Sequence, residues 1–563
     1  MKITITILAC LISVTAFSQA PKPEWAAFFE DTAKGTPQEN DMATDAAGNT
    51  FITGYFTISG DYVTKKYFLI KRDSSGILQW AKYFPQDSSA VAKNNMGKAV
   101  TTDAKGNVYV TGVIYDTLCN ICTVPTPHQD LFVIKYKTDG TISWIYKYAG
   151  KDSTYQNPED ITTDSKGNVY ITGNEQKLNT HTYTFIPSNL TQKITNTGVK
   201  AWSKILPLAF GHGITLDKDD NVIVAAAYDP NNIYQLQENQ VVKFNNKGDT
   251  LWTRVFHEAG KYGQNYFVAT DAKGNIYANG QTDTNAFFNN PRVITIKYSA
   301  DGNFVWQYKD SSYTRTTPNI FGDFKVDAKG NTYIAATISD ASFQTRKWIV
   351  SKYNTNGKKV WNDVYGGVNF SSFYPCGIVV DGSGNVYAAG VSYIQNPKYY
   401  YSFTTIKYDA AGTRQWVAYY PTHGTNNYGF PSAIGIDAGN NIYVSGLDGM
   451  LDKTQNKIVS KNCTVKYKGI SAATFEQIVQ NKNISIAVYP NPCSNILFVK
   501  NTNIHQNATM QIVDASGNTV LKNNMPASAN NTYQINVATL KPGMYILNII
   551  NGENTYTQKF IKQ

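Results

Sequence analysis

This chain of 563 residues contains two closely spaced cysteines, in the segment Cys119-Asn-Ile-Cys122. Of all the residues in the sequence, this pair is spaced best for covalent or metal chemistry. Such a pair can form a local disulfide, help to bind a metal or act as a redox couple. A zinc site needs about four ligands, and only His128 lies nearby in the sequence. No thioredoxin-like βαβ pattern surrounds the pair. The sequence therefore favours a disulfide between Cys119 and Cys122, and it predicts no metal site.

The acidic run Asp217-Lys-Asp219-Asp220-Asn221 has the spacing with which a calcium-binding loop begins. It lacks the glycine that such a loop needs, and Tyr228 stands where a bidentate glutamate is required. We interpret the run as a decorated turn.

Catalytic signatures are absent from the sequence. The chain has 6 histidines, and none lies in a nucleophile elbow or an H-E-x-x-H motif. A lone histidine such as His212, between two glycines, is more often a hydrogen-bonded structural residue than a catalyst. We therefore predict no catalytic residue and no cofactor.

The candidate side chains named above lie in a chain that is built largely from one repeated segment. TDAAGNTFITG, which contains Asp45, recurs with small changes in eight copies that are 53 to 61 residues apart. A second element of the form I-K-Y-x-x-x-G-x-x-x-W follows it, with nine residues from Lys to Trp in its seven complete copies. The repeated aspartates are Asp45, Asp103, Asp164, Asp217, Asp271, Asp327, Asp381 and Asp437.

Each copy is typical of four short strands, of which the first two are joined by a tight D-x-x-G-N hairpin. Such units stacked radially make a β-propeller. The segment around Trp25 matches the fourth strand of a copy, but no first, second or third strand precedes it. The last copy, in contrast, ends at Lys466 and lacks a fourth strand with a Trp. We therefore predict an all-β fold, an eight-bladed β-propeller over residues 19–467 whose N-terminal strand closes the last blade.

On these residues, the eight units resemble the SBBP family of β-propeller repeats. The resemblance covers about four-fifths of the chain. It implies a fold and says little about function.

Loop lengths indicate where a ligand would bind. The turns between first and second strands and between third and fourth strands are uniform, whereas the other two sets of loops vary in length and share the opposite face. Function in repeat scaffolds usually lies on variable loops. Aromatic rings can stack on sugars, so we predict ligand contacts there from Tyr155, Tyr262, Tyr266, Tyr374, Tyr428 and Phe430. His212, at the start of the first strand of the fourth copy, is a further candidate, placed to face the central channel.

Three functions follow from this arrangement. The leading hypothesis is a surface-displayed binding or adhesion protein for an extracellular glycan or peptide. The rival is a secreted polysaccharide hydrolase or lyase, for which a cluster of ionisable side chains with perturbed pKa values would be the sign. A purely structural surface coat is third. For each aromatic residue taken singly, packing between blades remains the simpler role.

Composition and charge agree with an exported all-β protein. Aromatic residues make up 13% of the chain and charged residues 16%, which favours β structure. The formal charge of +10 is dispersed, so no nucleic-acid partner is predicted. Residues 1–18 have the layout of a signal peptide, and no later apolar stretch is long enough to predict a transmembrane segment.

A different module begins near residue 483. Its alternating runs and Asn/Gly/Pro turns predict a small β-sandwich over residues 483–563, after a linker at 468–482. It resembles the C-terminal sorting domain of type IX secretion in Bacteroidetes, through the motif Tyr489, Pro490, Asn491, Pro492, Gly543 and Tyr545. The resemblance implies the type IX machinery as partner and usually removal of the domain at the cell surface. An accessory binding sandwich is the alternative.

Overall fold

A computed structural model describes most of the chain. The described residues are 21–31, 34–58, 61–84, 94–116, 128–150, 154–179, 184–230, 237–258, 262–284, 291–309, 321–339, 346–366, 371–395, 399–421, 427–452, 457–469, 487–500, 508–514, 519–524, 532–551 and 554–563. They form strands and turns, with no helix among them. The predicted all-β class is confirmed.

Antiparallel pairing divides the strands of the repeated region into four-stranded groups. Within a group, the strands are called first to fourth in the order in which they pair. After β1 (Trp25–Phe29), groups 1 to 4 are β2 (Thr36–Thr44), β3 (Thr50–Ile58), β4 (Asp61–Arg72) and β5 (Leu78–Phe84); β6 (Asn94–Thr102), β7 (Val108–Asp116), β8 (His128–Tyr136) and β9 (Ile142–Tyr148); β10 (Thr154–Thr163), β11 (Val169–Asn179), β12 (Thr184–Ile194) and β13 (Lys200–Pro207); β14 (Ala209–Leu216), β15 (Val222–Tyr228), β16 (Glu238–Phe244) and β17 (Thr250–Phe256).

The pattern continues through the described part of the chain to a total of eight groups. Groups 5 to 8 are β18 (Tyr262–Thr270), β19 (Ile276–Asp283), β20 (Arg292–Tyr298) and β21 (Phe304–Lys309); β22 (Phe321–Val326), β23 (Thr332–Ser339), β24 (Arg346–Tyr353) and β25 (Lys359–Tyr365); β26 (Ser371–Val380), β27 (Val386–Gln395), β28 (Tyr399–Tyr408) and β29 (Arg414–Pro421); β30 (Asn427–Ile436), β31 (Ile442–Asp452) and β32 (Lys457–Tyr467), completed by β1. Single parallel bridges also link groups 1, 2 and 3.

The repeated aspartate builds the hairpin between first and second strands in the same way in every group. In group 8, Asp437 Oδ1 accepts hydrogen bonds from the backbone N–H of Gly439 and Asn441, at 2.8 and 2.9 Å. Its Oδ2 accepts from Asn441 Nδ2 at 2.8 Å and from the hydroxyl of Tyr443 at 2.9 Å. The turn requires a positive φ at its fourth residue, which is usually glycine and is Asn440 here. The sequence prediction of a tight Asx hairpin is confirmed.

Group 4 has an isoleucine, Ile223, where six groups have the tyrosine that bonds the hairpin aspartate. The ammonium of Lys243 moves into that role and forms a buried ion pair with Asp217 at 2.9 Å. The carboxylate therefore keeps a full set of partners.

Adjacent groups are joined by the repeated lysine and tryptophan of the third and fourth strands. Lys297 Nζ and Trp306 Nε1, for example, both donate to the Thr355 carbonyl of the next group, at 3.1 and 3.0 Å. Lysines of this set also lie over the ring of the hairpin tyrosine, as Lys297 does over Tyr277 at 5.0 Å. We call this arrangement the Lys–Trp clamp.

The two ends of the repeated region meet in one sheet. Strand β1 pairs antiparallel with β32, with Trp25 opposite Lys466 and Phe28 opposite Cys463, so the pairing predicted from the sequence is confirmed. Trp25 Nε1 and Lys466 Nζ then both donate to Ser74 O of group 1, at 3.1 and 2.9 Å. The clamp between groups 8 and 1 is thus the same as between consecutive groups, although its two residues lie at opposite ends of the region.

The apolar core lies between neighbouring groups. One cluster joins group 7 to group 8 through Phe403, Trp416, Val444 and Tyr467, and another joins groups 8 and 1 through Phe29, Ile52 and Tyr443. Burying side chains on both faces of every sheet explains why the second and third strands read as nearly continuous apolar runs.

The chain divides into two compact units, residues 1–469 and residues 470–563. In the second unit, β33 (Ala487–Tyr489), β34 (Ile496–Lys500), β35 (Thr509–Val513), β36 (Thr519–Asn524), β37 (Thr532–Asn536), β38 (Gly543–Asn551) and β39 (Asn554–Lys562) form two sheets with the orders β33-β34-β37 and β36-β35-β38-β39. Leu497, Ile512 and Leu547 lie in one buried core shared by both sheets.

Candidate functional site

The first strand of every group carries a one-residue bulge at the same place. A bulge leaves one residue unpaired and re-aims its side chain. None of these eight residues is fully buried, although the strands around them pack closely on their neighbours. We call them the bulge ring, which consists of Asn40, Lys98, Glu159, His212, Tyr266, Gly322, Cys376 and Ser432.

The first strands lie side by side in chain order, and β30 also contacts β2. Asn40 Nδ2 donates to Gly97 O at 2.5 Å, from group 1 to group 2. A Cβ on Gly435 of group 8 would lie 2.1 Å from Thr44 Oγ1 of group 1, so the first strands of these two groups, β30 and β2, pack closely together.

Three carboxylates directly follow bulge residues and link neighbouring groups. Asp41 Oδ2 accepts the Val100 N–H at 2.8 Å, Asp160 Oδ2 accepts the Ile214 N–H at 2.9 Å, and Asp323 Oδ2 accepts the Ile378 N–H at 3.2 Å. In each case Oδ1 accepts the N–H of the next residue in its own strand. Their hydrogen bonds indicate a structural role.

The charges of these carboxylates affect one another's pKa values. Burial raises the pKa of Asp41 and of Asp160 to about 6. The charge of Asp160 further raises the pKa of Asp41, and the ammonium of Lys325 opposes both increases in pKa. Lys325 also pairs with Asp323 at 2.9 Å. Charged side chains of groups 1, 3 and 6 therefore interact electrostatically.

Glu39 differs from these aspartates. Burial raises its pKa to about 8, so the carboxyl group is mostly protonated at neutral pH. Oε2 contacts Asn462 Nδ2 and accepts from Ser445 Oγ at 2.7 Å, both in group 8. Oε1 is buried and has no hydrogen-bond partner among the described residues.

A chain of amides and a tyrosine lies where groups 4 and 5 meet. Gln264 Nε2 donates to Gln237 Oε1, and the Tyr266 hydroxyl donates to Gln264 Oε1. Gln281 Nε2 donates to Gln264 Oε1 at 3.1 Å and to the Tyr266 oxygen at 2.8 Å. We call these four residues the amide cluster. The ring of His212 lies 5.2 Å from that of Tyr266, and burial lowers the pKa of His212 to about 4.

An aromatic group lies where groups 7 and 8 meet. The ring centroid of Tyr401 is 5.0 Å from that of Tyr393 and 5.3 Å from that of Phe430. Phe430 is 37% exposed. These three residues, the aromatic platform, lie toward the ends of their strands that are farther from the uniform hairpins.

The six aromatic residues that we placed in loops lie in strands, so that placement is wrong, whereas His212 lies in a first strand, β14, as predicted. Their variable segments extend the first strands, and the loops are shorter than sequence spacing indicates. Only His212 and Tyr266 come together among those with described side chains; Tyr155 packs edge-on against Phe185 at 5.1 Å. Tyr262 begins β18 and is partly exposed. Tyr374 and Tyr428 belong to β26 and β30.

The structure also identifies residues that the sequence analysis missed. Asp41, Asp160 and Asp323 each precede a repeated hairpin aspartate by four residues, and that recurrence could have identified them. Glu39 and the amide cluster have no such signal, because their partners lie in other groups.

Metal and disulfide chemistry have no described site. No set of three or more His, Cys, Asp and Glu residues in the described ranges is placed to hold a metal ion. Cys119 and Cys122 lie outside the described residues. Cys376, Cys463 and Cys493 are free thiols.

A cleft of about 550 Å³ opens at the hairpins of groups 6 and 7, lined by Lys325, Lys329, Tyr333, Lys352 and Ser383 among others. It therefore lies on the uniform side, whereas we predicted ligand binding on the opposite side.

In the second unit, Asn491, Gly543 and Tyr545 of the sorting motif contact the last strand, β39. Asn491 Oδ1 accepts the Ile561 N–H at 2.8 Å. Tyr489 stacks on Phe498 and Tyr545 on Phe560, each pair at 5.7 Å. Pro490 and Pro492 follow cis peptide bonds, and Gly543 begins β38.

Comparison with known proteins gives one family match. Residues 487–563 match the secretion system C-terminal sorting domain. This domain indicates export to the cell surface or the extracellular space. No helix in the described ranges is long and apolar enough to cross a membrane.

Other similarities are distant. An uncharacterized WD repeat-containing protein of Acanthamoeba polyphaga mimivirus is 25% identical over 271 residues, covering 41% of this chain and 18% of that protein. A fungal alcohol oxidase of the AA5 family in complex with copper is 12% identical, with 97% and 100% coverage and a TM-score of 0.35. A polysaccharide lyase of family PL25, an ulvan lyase, is 11% identical, with 70% and 95% coverage and a TM-score of 0.37. These scores are too low to assign a fold or function.

Proposed function

We propose that residues 19–467 form an eight-bladed β-propeller of SBBP-type repeats, in which each four-stranded group is one blade. The contact of β30 with β2 and the Lys–Trp clamp from Trp25 and Lys466 to Ser74 support a closed ring. In this arrangement the bulge ring lines a central channel. Closure by β1 removes two exposed sheet edges, which would otherwise pair with other chains.

The full chain is then an export precursor. Residues 1–18 are the signal peptide, 468–482 a linker that contains the cleavage region, and 483–563 the domain that engages the type IX machinery. The match over residues 487–563 supports this division. Mass spectrometry of the surface species tests it: a mature C-terminus within 468–490 is expected, and an intact Gln563 on functional protein would contradict it.

The exported propeller is a binding or adhesion protein for a glycan or an extended peptide. The observation that carries this proposal is the aromatic platform, in which Phe430 stays 37% exposed against Tyr401. A flat apolar ring beside tyrosine hydroxyls suits the apolar face of a sugar or a peptide side chain.

A glycan-array and peptide-array screen of the full chain tests binding. Phe430→Ala should reduce binding at least tenfold. Phe304→Ala is the matched control, because Phe304 is 54% exposed but lies on the fourth strand of group 5. Equal loss in both variants, or no binding by the natural chain, would argue against this function.

A second candidate is a polysaccharide hydrolase or lyase, and it is favoured by Glu39. A carboxyl group whose pKa is about 8 can donate a proton at neutral pH, and Oε1 has no partner among the described residues. Polysaccharide turnover that disappears in Glu39→Gln but persists in Glu30→Gln would establish this function. Absence of turnover across a polysaccharide panel would exclude it for those substrates.

A further inference from the structure

The amide cluster has an unusual hydrogen-bond balance. Gln281 is only 1% exposed, yet its Oε1 has no hydrogen-bond partner among the described residues. The same holds for the side-chain oxygens of Asn265 and Asn279 in the same sheet, which are 0% and 1% exposed. Native proteins leave few buried polar atoms unpaired, and each such group needs an explanation. Here the missing partners are all hydrogen-bond donors.

Two members of the cluster, Gln264 and Tyr266, reach the solvent. Gln264 and Tyr266 are partly exposed, and the buried Gln281 lies opposite Gln264 in β19 and donates to both of them. This position is at the end of the sheet away from the hairpin at Asp271. A ligand that contacts Gln264 and Tyr266 could therefore reorganise the hydrogen bonds of Gln281.

The cluster itself is polar but uncharged, and a buried carboxyl group, that of Asp283, lies two residues beyond Gln281 in β19. Its members are amides and a phenol, and the neighbouring imidazole of His212 is neutral at pH 7 because burial lowers its pKa to about 4. Side-chain amides can donate to and accept from the same hydroxyl group. A charged ligand would instead need paired ionic side chains in a site this buried.

We propose that the amide cluster of Gln237, Gln264, Tyr266 and Gln281 is a subsite for the hydroxyl groups of a neutral oligosaccharide. The inference rests on the proposed binding function and names its ligand class. A hydroxyl group of the ligand supplies the donor that Gln281 Oε1 lacks. The ring of His212 adds a flat surface beside Tyr266.

Calorimetric titration of the full chain tests the subsite. The probes are hexasaccharides of β-1,3-, β-1,4- and α-1,4-linked glucose, with hexuronate oligomers of equal length as the charged comparison. At least one neutral probe should bind, and Gln264→Ala and Tyr266→Phe should each weaken its binding at least tenfold.

Gln192→Leu is the matched control. Gln192 is a fully buried amide in group 3 whose oxygen accepts from the Tyr146 hydroxyl and whose nitrogen donates to Ser203 Oγ, both at 3.2 Å. Its loss should lower the melting temperature and leave the affinity unchanged. Melting curves of Tyr266→Phe show whether this variant is folded, and a cooperative transition is expected.

The outcomes separate the subsite from the proposed function. Neutral probes that bind equally well to the Gln264 and Tyr266 variants would overturn the subsite, with buried water as the occupant, and leave the binding function standing. Binding of hexuronates or peptides alone would overturn the neutral ligand class. No binding of any glycan or peptide by the natural chain would overturn both.

Discussion

Each first strand carries a bulge residue and ends in a hairpin, and these two regions differ in sequence conservation between the eight groups: the hairpin residues repeat, whereas the bulge residues do not. Every hairpin has the same aspartate, with the same backbone hydrogen bonds to residues two and four positions later. The bulge ring holds eight different residue types at one structural position. Repetition therefore marks what every sheet needs to fold, and variation marks where individual sheets acquire separate chemistry.

Deleting residues 19–30 should have the largest effect. The deletion removes β1 with Trp25, and so exposes β32 and breaks the clamp to Ser74. We expect a loss of at least about 5 kcal/mol in the free energy of unfolding, comparable to the stability of a whole domain. Urea unfolding measures it, and deletion of residues 484–563, the other compact unit, is the control. An unchanged midpoint after the first deletion would show that β1 is dispensable.

Removing one repeated aspartate should have the next largest effect. Asp437→Ala leaves two backbone N–H groups, an amide and the Tyr443 hydroxyl without their acceptor. The expected loss is about 2–4 kcal/mol, since unsatisfied buried donors are costly. Asp139→Ala removes an aspartate from an exposed turn, where Thr141 is its partner, and should cost much less. Equal losses would contradict a special role for the first-strand hairpins.

Stability should depend on pH through Glu39. Its folded pKa of about 8 exceeds its ordinary value of 4.5, so the folded state binds more protons between these values. The free energy of unfolding should therefore fall as the pH rises through the folded pKa, by about 2 kcal/mol between pH 6.5 and pH 8, above the pKa values of Asp41 and Asp160. Glu39→Gln should flatten this dependence, whereas Glu30→Gln, at an exposed carboxyl beside the same seam, should not. Chemical unfolding across this pH range decides, and a steep slope in Glu39→Gln would show that other groups cause the effect.

Exchange of a bulge-ring residue should have the smallest effect on stability. Lys98→Met should change the free energy of unfolding by less than about 1 kcal/mol, as at most sites without special packing. It should raise the pKa of Glu159, because the charge of Lys98 lowers it. An NMR titration of Glu159 measures the shift; an unchanged pKa would show that the charge of Lys98 does not act on Glu159.

The sequence was sufficient for features whose cause is local. Asp437, Asn441 and the positive φ at Asn440 follow from the D-x-x-G-N spacing alone. The pairing of Trp25 with Lys466 followed from matching an incomplete last copy to an unaccompanied fourth strand. Tyr155 and Tyr262 were misplaced because alternating polar and aromatic residues at the strand ends read as loops.

The site residues depended on contacts between groups. Nothing near Glu39 in sequence predicts Ser445 and Asn462, which follow it by 406 and 423 residues. His212 and Tyr266 meet because bulges of neighbouring strands place both on one surface.

The sequence by itself determined the all-β repeat, its hairpins, its closing strand and its export module, because these depend on residue spacing within one copy or on a local motif. Tertiary structure decided which of the variable residues meet, and it set their protonation. Asp41 and Asp160 illustrate the reason: the pKa of each reflects burial among neighbouring groups and the distant charge of Lys325, and neither is a property of nearby sequence.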